Sequence, residues 1–185
     1  MASKIDLISN ALILIGDLPI NTFIGNERRK VVARNLYDNI IENELTKHRW
    51  GFARRQGPLS LLTASPESKE WQKAYQLPSD MLSLITLYPS INYQLYGKQI
   101  YCNYNQILHA DYIWKVPEDN WPPYFSKMIE YALAKDFASS IRDSATSKQA
   151  MAEEYLMASR MARYTDSQQH PQVAFRDRPF ISVRS

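Results

Sequence analysis

The chain has 185 residues, of which 45% are apolar and 22% charged, and its formal net charge is only +3. That size suits one domain, or a core with one modest insertion, with enough apolar residues to bury a core unaided. A polycationic nucleic-acid scaffold is excluded by the charge, and a helical membrane span by the lack of any apolar run near the roughly 18 residues it needs. Cys102 is the sole cysteine, which rules out an intramolecular disulfide or a cysteine-rich metal site and points to a reducing compartment.

The first residues combine one lysine with a short apolar patch, so a signal peptide is one reading. Asp6 interrupts the patch and no small-residue cleavage site follows, which favours a helix. Ile5, Ile8, Leu12 and Ile15 fall at helical spacing, and Ser3 with Asp6 forms a capping-box signal. Gly16 and Pro19 stop this helix, and residues 17–26 form a loop.

A long second helix is predicted from about Glu27 to His48, with Ala33, Leu36, Tyr37, Ile40, Ile41 and Leu45 on one stripe. It starts with Arg28, Arg29 and Lys30 and leads into His48, Arg49, Trp50, Gly51, Phe52, Ala53, Arg54 and Arg55, with Gly51 as its stop signal.

From Phe52 onward the helical period disappears, and Pro58, Pro66, Pro78 and Pro89 punctuate the chain. Strands are predicted over 59–63, 81–88 and 93–96, with a hairpin turning at Gly97 and Lys98. In the run 107–114, Leu108, Ala110, Tyr112 and Trp114 alternate with Ile107, His109, Asp111 and Ile113. Both faces carry apolar residues, so this strand should be covered on both sides. Residues 57–116 therefore read as an all-β insertion.

Pro122 and Pro123 suit the first turn of a third helix, whose stripe is Phe125, Met128, Ile129, Ala132, Leu133 and Phe137. A fourth helix is predicted from about Ser147, with Met151, Tyr155, Ala158 and Ala162 facing inward. The fold class is thus α+β. A bundle of about four helices (1–56 and 117–169) holds an antiparallel insertion, and an extended docking tail (170–185) follows. That tail is too apolar for a solvated one, with Val173, Phe175, Phe180, Ile181 and Val183 set among Arg176, Arg178 and Arg184.

The signals for catalysis are poor. His48, His109 and His170 sit on different predicted elements, and five glycines make no phosphate loop. His109 and Asp111 share a strand face about 6.6 Å apart at a rise of about 3.3 Å per residue, which could hold a metal or a base and its orienter. A polar strand pair is the plainer reading. Neighbouring carboxylates at Glu42/Glu44, Glu118/Asp119 and Glu153/Glu154 read as solvated decoration, although an acid–base pair distant in sequence stays open. No enzyme, cofactor or metal is expected.

Nucleic-acid binding has more behind it. Residues 27–55 hold eight Lys or Arg against four Asp or Glu. Arginines beside Trp50 and Phe52 could grip phosphates and stack on bases. The same residues serve equally as core anchors and interface ion pairs, and we weight that reading higher. The expected contact residues are Arg28, Arg29, Lys30, Arg49, Trp50, Phe52, Arg54 and Arg55, with Phe175, Arg176, Arg178, Phe180, Ile181 and Arg184 from the tail. The twelve tyrosines could also stack on sugars, but strand alternation explains most of those in the β block.

The order of features carries a resemblance. Leu14-Ile15-Gly16-Asp17-Leu18-Pro19 ends the first helix, and the second runs into His48-x-Trp50-x-Phe52-Ala53-x-Arg55. Trp71, Tyr75, Leu77, Pro78 and Asp80 then lead into a strand, and two alanine-rich helices follow. Over residues 3–165 this resembles the tail tubular protein A family, the head-to-tail adaptor of short-tailed bacteriophages.

The resemblance implies a homo-oligomeric ring, usually of twelve copies, bound to the portal protein above and to the tail nozzle (tubular protein B) below. Tail fibres often attach at the side of such rings, and DNA passes through the lumen without sequence-specific binding. It also implies a place in the neck of the virion after synthesis in the host cytoplasm, no membrane and no catalysis. Some related adaptors have been credited with glycan or cell-wall hydrolysis, for which no residue here stands out. The tail's role is expected from composition alone: deleting 171–185 should weaken ring assembly or portal binding, measured by light scattering with and without the portal.

Overall fold

A computed structural model describes residues 3–169 of the chain, so expectations for the tail fall outside the described residues. Helix α1 spans Lys4–Leu14 and opens with the predicted capping box, Ser3 and Asp6 bonding each other's backbone N–H. Leu7, Ile8, Ala11 and Leu12 are buried beneath it. Gly16 follows the helix at φ +72°, the left-handed geometry that favours glycine at a helix end.

Helix α2 spans Arg28–Thr46 and buries Ala33, Tyr37, Ile41 and Leu45 of the predicted stripe. It ends sooner than His48, and Gly51 is not its stop. The cause is Trp50, which is 1% exposed. Its indole N–H donates to the Glu44 carbonyl at 3.0 Å, satisfying one of the carbonyls that a helix end leaves without a partner. Gly51 instead opens a short 3-10 turn, Gly51–Ala53.

Seven strands follow: β1 Arg54–Pro58, β2 Ser60–Leu61, β3 Lys73–Gln76, β4 Met81–Tyr88, β5 Tyr93–Tyr96, β6 Gln99–Cys102 and β7 His109–Trp114. They form two antiparallel sheets, ordered β1-β7-β4 and β2-β3-β6-β5. The sheet region starts at Arg54, three residues before the expected boundary. The β5–β6 hairpin closes with Tyr96 opposite Gln99. Gly97 takes φ +57° in its turn, as a II′-type hairpin with glycine first requires.

Strand β7 is covered on both faces, as its alternation predicts. Leu108, Ala110 and Tyr112 join a core between the two sheets with Tyr75, Leu87 and Ile100. Ile113 points the other way, into the helical core. The three-stranded sheet therefore lies between the helices and the four-stranded sheet, and the insertion shares the bundle's core.

Helix α3 spans Pro123–Ser140 with Pro123 in its first turn, and α4 spans Ala145–Gln168, starting two residues before Ser147. The Ser144 hydroxyl caps α4 by accepting from the Ser147 N–H. Tyr155 and Ala162 of its inward stripe are buried, joined by Ser159 and Asp166.

Three buried or half-buried tyrosines tie the helices together by donating to carboxylates. Tyr37 donates to Glu118 at 3.0 Å, Tyr155 to Glu44 at 2.8 Å and Tyr124 to Asp166 at 2.9 Å. Glu44, expected on a solvated face, is only 3% exposed; its α2 position turns it to α4, and sequence periodicity could not show which neighbour it would meet. Burial, followed by the adjacent carboxylate, raises the pKa of all three phenols. The unfolded chain ionises tyrosine near its ordinary value of about 10, and the folded chain resists. Their contribution is therefore complete below about pH 10 and is lost as pH rises above it. Urea midpoints should fall steeply above that pH, and the triple change Tyr37→Phe, Tyr124→Phe, Tyr155→Phe should flatten the slope while lowering stability at neutral pH.

Candidate subunit interface

The cationic start of α2 is used largely within the chain. The Lys30 ammonium pairs with Glu27 at 2.8 Å and donates to the Ile24 carbonyl at 3.1 Å. Arg29 pairs with Glu27 and, at 3.7 Å, with Asp17. Hydrogen bonds from Lys30 and then Arg29 hold the Glu27 carboxyl below its usual range. Cations at a helix N-terminus oppose its dipole; these two acidic residues offset that and fix the loop before α2. Arg28 is exposed and lies outside this cluster.

Trp50 and Phe52 are core anchors. Trp50 packs edge-on to Phe125 with ring centroids 5.0 Å apart, and Phe52 lies 4.8 Å from the same ring. Trp50 therefore presents almost no surface to a neighbour, which corrects its placement among contact residues. Phe52 is half-buried, and Arg49 is exposed.

Arg54 and Arg55 lie on strand β1 rather than on a helix exit, with their charges matched inside the chain. Arg54 pairs with Asp111, which is 5% exposed, and Arg55 pairs with Asp80 at 2.6 Å while its guanidinium stacks 3.5 Å from the Trp114 ring centre. The carboxylate of Asp111 thus goes to Arg54 rather than to a metal, and His109 is exposed at the end of the strand. Among the described residues no group of three His, Cys, Asp or Glu is placed to hold a metal. Arg54→Ala should cost about 2–3 kcal/mol because it strands a buried carboxylate. Arg55→Ala should cost under about 1 kcal/mol, as exposed pairs do. Parallel denaturation curves check both.

Sequence reasoning missed an uncovered apolar surface on α4. On α4, Leu156, Met157, Met161 and Tyr164 are 52%, 68%, 66% and 61% exposed. Met157, Met161 and Tyr164 follow one another at spacings of four and three, which is one helix face. With Ala158 and α3's Tyr131 they line a shallow groove rimmed by Glu154 and Arg160. The signal was in the sequence: α4 carries two apolar stripes, and a helix on a bundle's edge can bury only one. Contiguous exposed apolar surface of this kind marks a contact site, and methionines adapt to the partner's shape.

Behind the groove, α4 is fixed by Asp166. This carboxylate is 1% exposed. It accepts from the Gly51 N–H at 3.0 Å and from the Tyr124 hydroxyl at 2.9 Å, with the His48 ring nitrogen 3.6 Å away. The expected tail contacts Phe175, Arg176, Arg178, Phe180, Ile181 and Arg184 lie outside the described residues. No helix among the described residues is long and apolar enough to cross a membrane.

No family model and no curated protein matches this chain.

Proposed function

We propose that this protein is a structural subunit of a head-to-tail adaptor ring in a short-tailed bacteriophage, seated between the portal and the tail nozzle around the DNA channel. The observation that carries the reading is the uncovered stripe Met157, Met161 and Tyr164 on the longest described helix. A subunit that repeats around a ring needs a long, stiff element with an apolar face for its neighbour. The four-helix and β-insertion architecture agrees with what the sequence resemblance implies, and the resemblance supplies the identity of the partners. The pairing of Arg54 and Arg55 with Asp111 and Asp80 leaves those side chains less able to grip phosphate. That suits a channel through which DNA must slide and weakens the nucleic-acid-module reading.

Light scattering and electron microscopy of the protein, alone and mixed with the portal protein of the same genome, test this. A ring, or one that forms only on the portal, is the expected result. A monomer indifferent to the portal would sink the reading, and salt-dependent DNA binding would then be measured next.

A further inference from the structure

Four strands border the two sheets, and three of these edges are protected against pairing with another chain. Strand β4 carries two irregularities of register, at Met81/Ser83 and Leu84/Thr86. Strand β1 holds Arg54 and Arg55 and ends in Pro58, and β2 is two residues long. Bulges, charge, proline and brevity are the devices that blunt an edge. Strand β5 has none of them. It is regular in register, exposed at every residue, and set in a run, 81–97, that contains no charged side chain.

The hydrogen bonding of the hairpin shows what this edge offers. The Leu77 N–H donates to the Lys98 carbonyl at 3.0 Å, so Lys98, Ile100 and Cys102 turn their backbone groups toward β3. By alternation Gln99 and Tyr101 bond Tyr96 and Gln94 across the hairpin. The backbone N–H and C=O groups of Tyr93 and Leu95 therefore face outward, beyond the last strand of the sheet. Their side chains share a face with Cys102 and Ile100, toward the core between the sheets. They are still 38% and 48% exposed, because no strand follows to cover them.

We propose that this edge pairs with β5 of a second copy, antiparallel, about a two-fold axis at Gln94. Tyr93 of each copy then exchanges both backbone bonds with Leu95 of the other, and Gln94 faces Gln94 in the pair between them. The register is self-complementary. It sets apolar Tyr93 against Leu95 on the core side and no like charges opposite each other. It also carries Lys98 of the second copy, exposed at its turn, past Asn92 toward a surface pocket. Glu70 in that pocket complements the ammonium, and Trp71 and Tyr104 give it an aromatic wall. A two-fold pair is not a contact around a ring, so it describes the free protein and does not rest on the adaptor reading. Strand β5 belongs to the sheet held away from the helices, so the pair leaves the α4 stripe uncovered.

Light scattering of the full-length protein over a concentration series tests the pairing. All proteins carry Met157→Glu and Met161→Glu, so that assembly through α4 does not contribute to the mass. With Gln94 intact the mass should rise from one chain to two. Gln94→Lys and Gln94→Glu should each hold it at one, because each sets two like charges face to face at the axis. Mixed in equal amounts, these two variants should regain the doubled mass, since lysine then faces glutamate. Misfolded chains could not give that recovery, and a contact elsewhere on the surface would not need it. A protein with Gln94 intact that stays at one chain mass overturns the proposal. So does a pair that survives both Gln94 changes, and so does a mixture that fails to recover. Ring formation on the portal is scored separately on the protein with its methionines intact, so the two readings fail independently.

Discussion

On the adaptor role proposed above, replacing Met157 and Met161 together by glutamate is expected to leave the protein folded and to abolish its assembly on the portal. Both side chains are about two-thirds exposed in the single chain, at 68% and 66%, so the substitutions remove little of its own packing. Burying a methionine in a contact is worth about 1.5–3 kcal/mol, and a glutamate there adds the cost of desolvating a charge. Two such changes in one contact weaken it by more than about a hundredfold, since each 1.4 kcal/mol is tenfold. A contact repeated around a ring multiplies the loss. Light scattering with the portal reads the assembly, and a thermal melt of the subunit alone should move by only a degree or two. Unimpaired rings from this variant would show that the stripe is not the contact between copies.

The second large effect is expected at Asp166. Its carboxylate joins the end of α4 to the Gly51 turn and to Tyr124 at the start of α3. Asp166→Ala leaves the Gly51 N–H and the Tyr124 hydroxyl without their acceptor in a nearly closed site. Hydrogen bonds to a charged group are worth about 1.5–3 kcal/mol each, so the loss should be about 3–5 kcal/mol. Asp166→Asn keeps one acceptor oxygen but turns an amide N–H₂ toward donors, and should fall between the two. Urea denaturation of the three proteins checks the order. A change below about 1 kcal/mol for Asp166→Ala would mean that water replaces the carboxylate at little cost. Because Asp166 lies behind the groove rather than in it, Asp166→Ala should lower assembly only by loosening α4. The glutamate pair at Met157 and Met161, in contrast, should lower it in a subunit that melts normally.

Much of the fold could be read from local chemistry. The Ser3–Asp6 capping box, the proline at the start of α3, the Gly97 turn and the double-sided alternation of 107–114 each follow from neighbours within a few residues. Periodicity placed the inward stripes of α1, α2 and α3, because a helix packed on one side must repeat its apolar residues every three or four positions. The sequence therefore determined the element types, the α+β class and most of the buried set. Two short strands escaped it: β1, with Gly57 and Pro58 inside it, and the four-residue β3, neither long enough to show a period.

What only the tertiary structure decided is who meets whom. Trp50, Arg54 and Arg55 look alike in sequence as an aromatic, basic exit from a helix. Folding sends the first into the core and the other two to carboxylates 57 and 25 residues away. Glu44 and Asp166 carry no sequence sign of burial, because what makes a buried carboxylate tolerable is a donor brought from another element, and that donor is distant in the chain. The same holds for the outer stripe of α4. Periodicity shows that two apolar faces exist, but which one the bundle covers depends on how α3 and α4 pack, and only that packing leaves Met157, Met161 and Tyr164 facing outward.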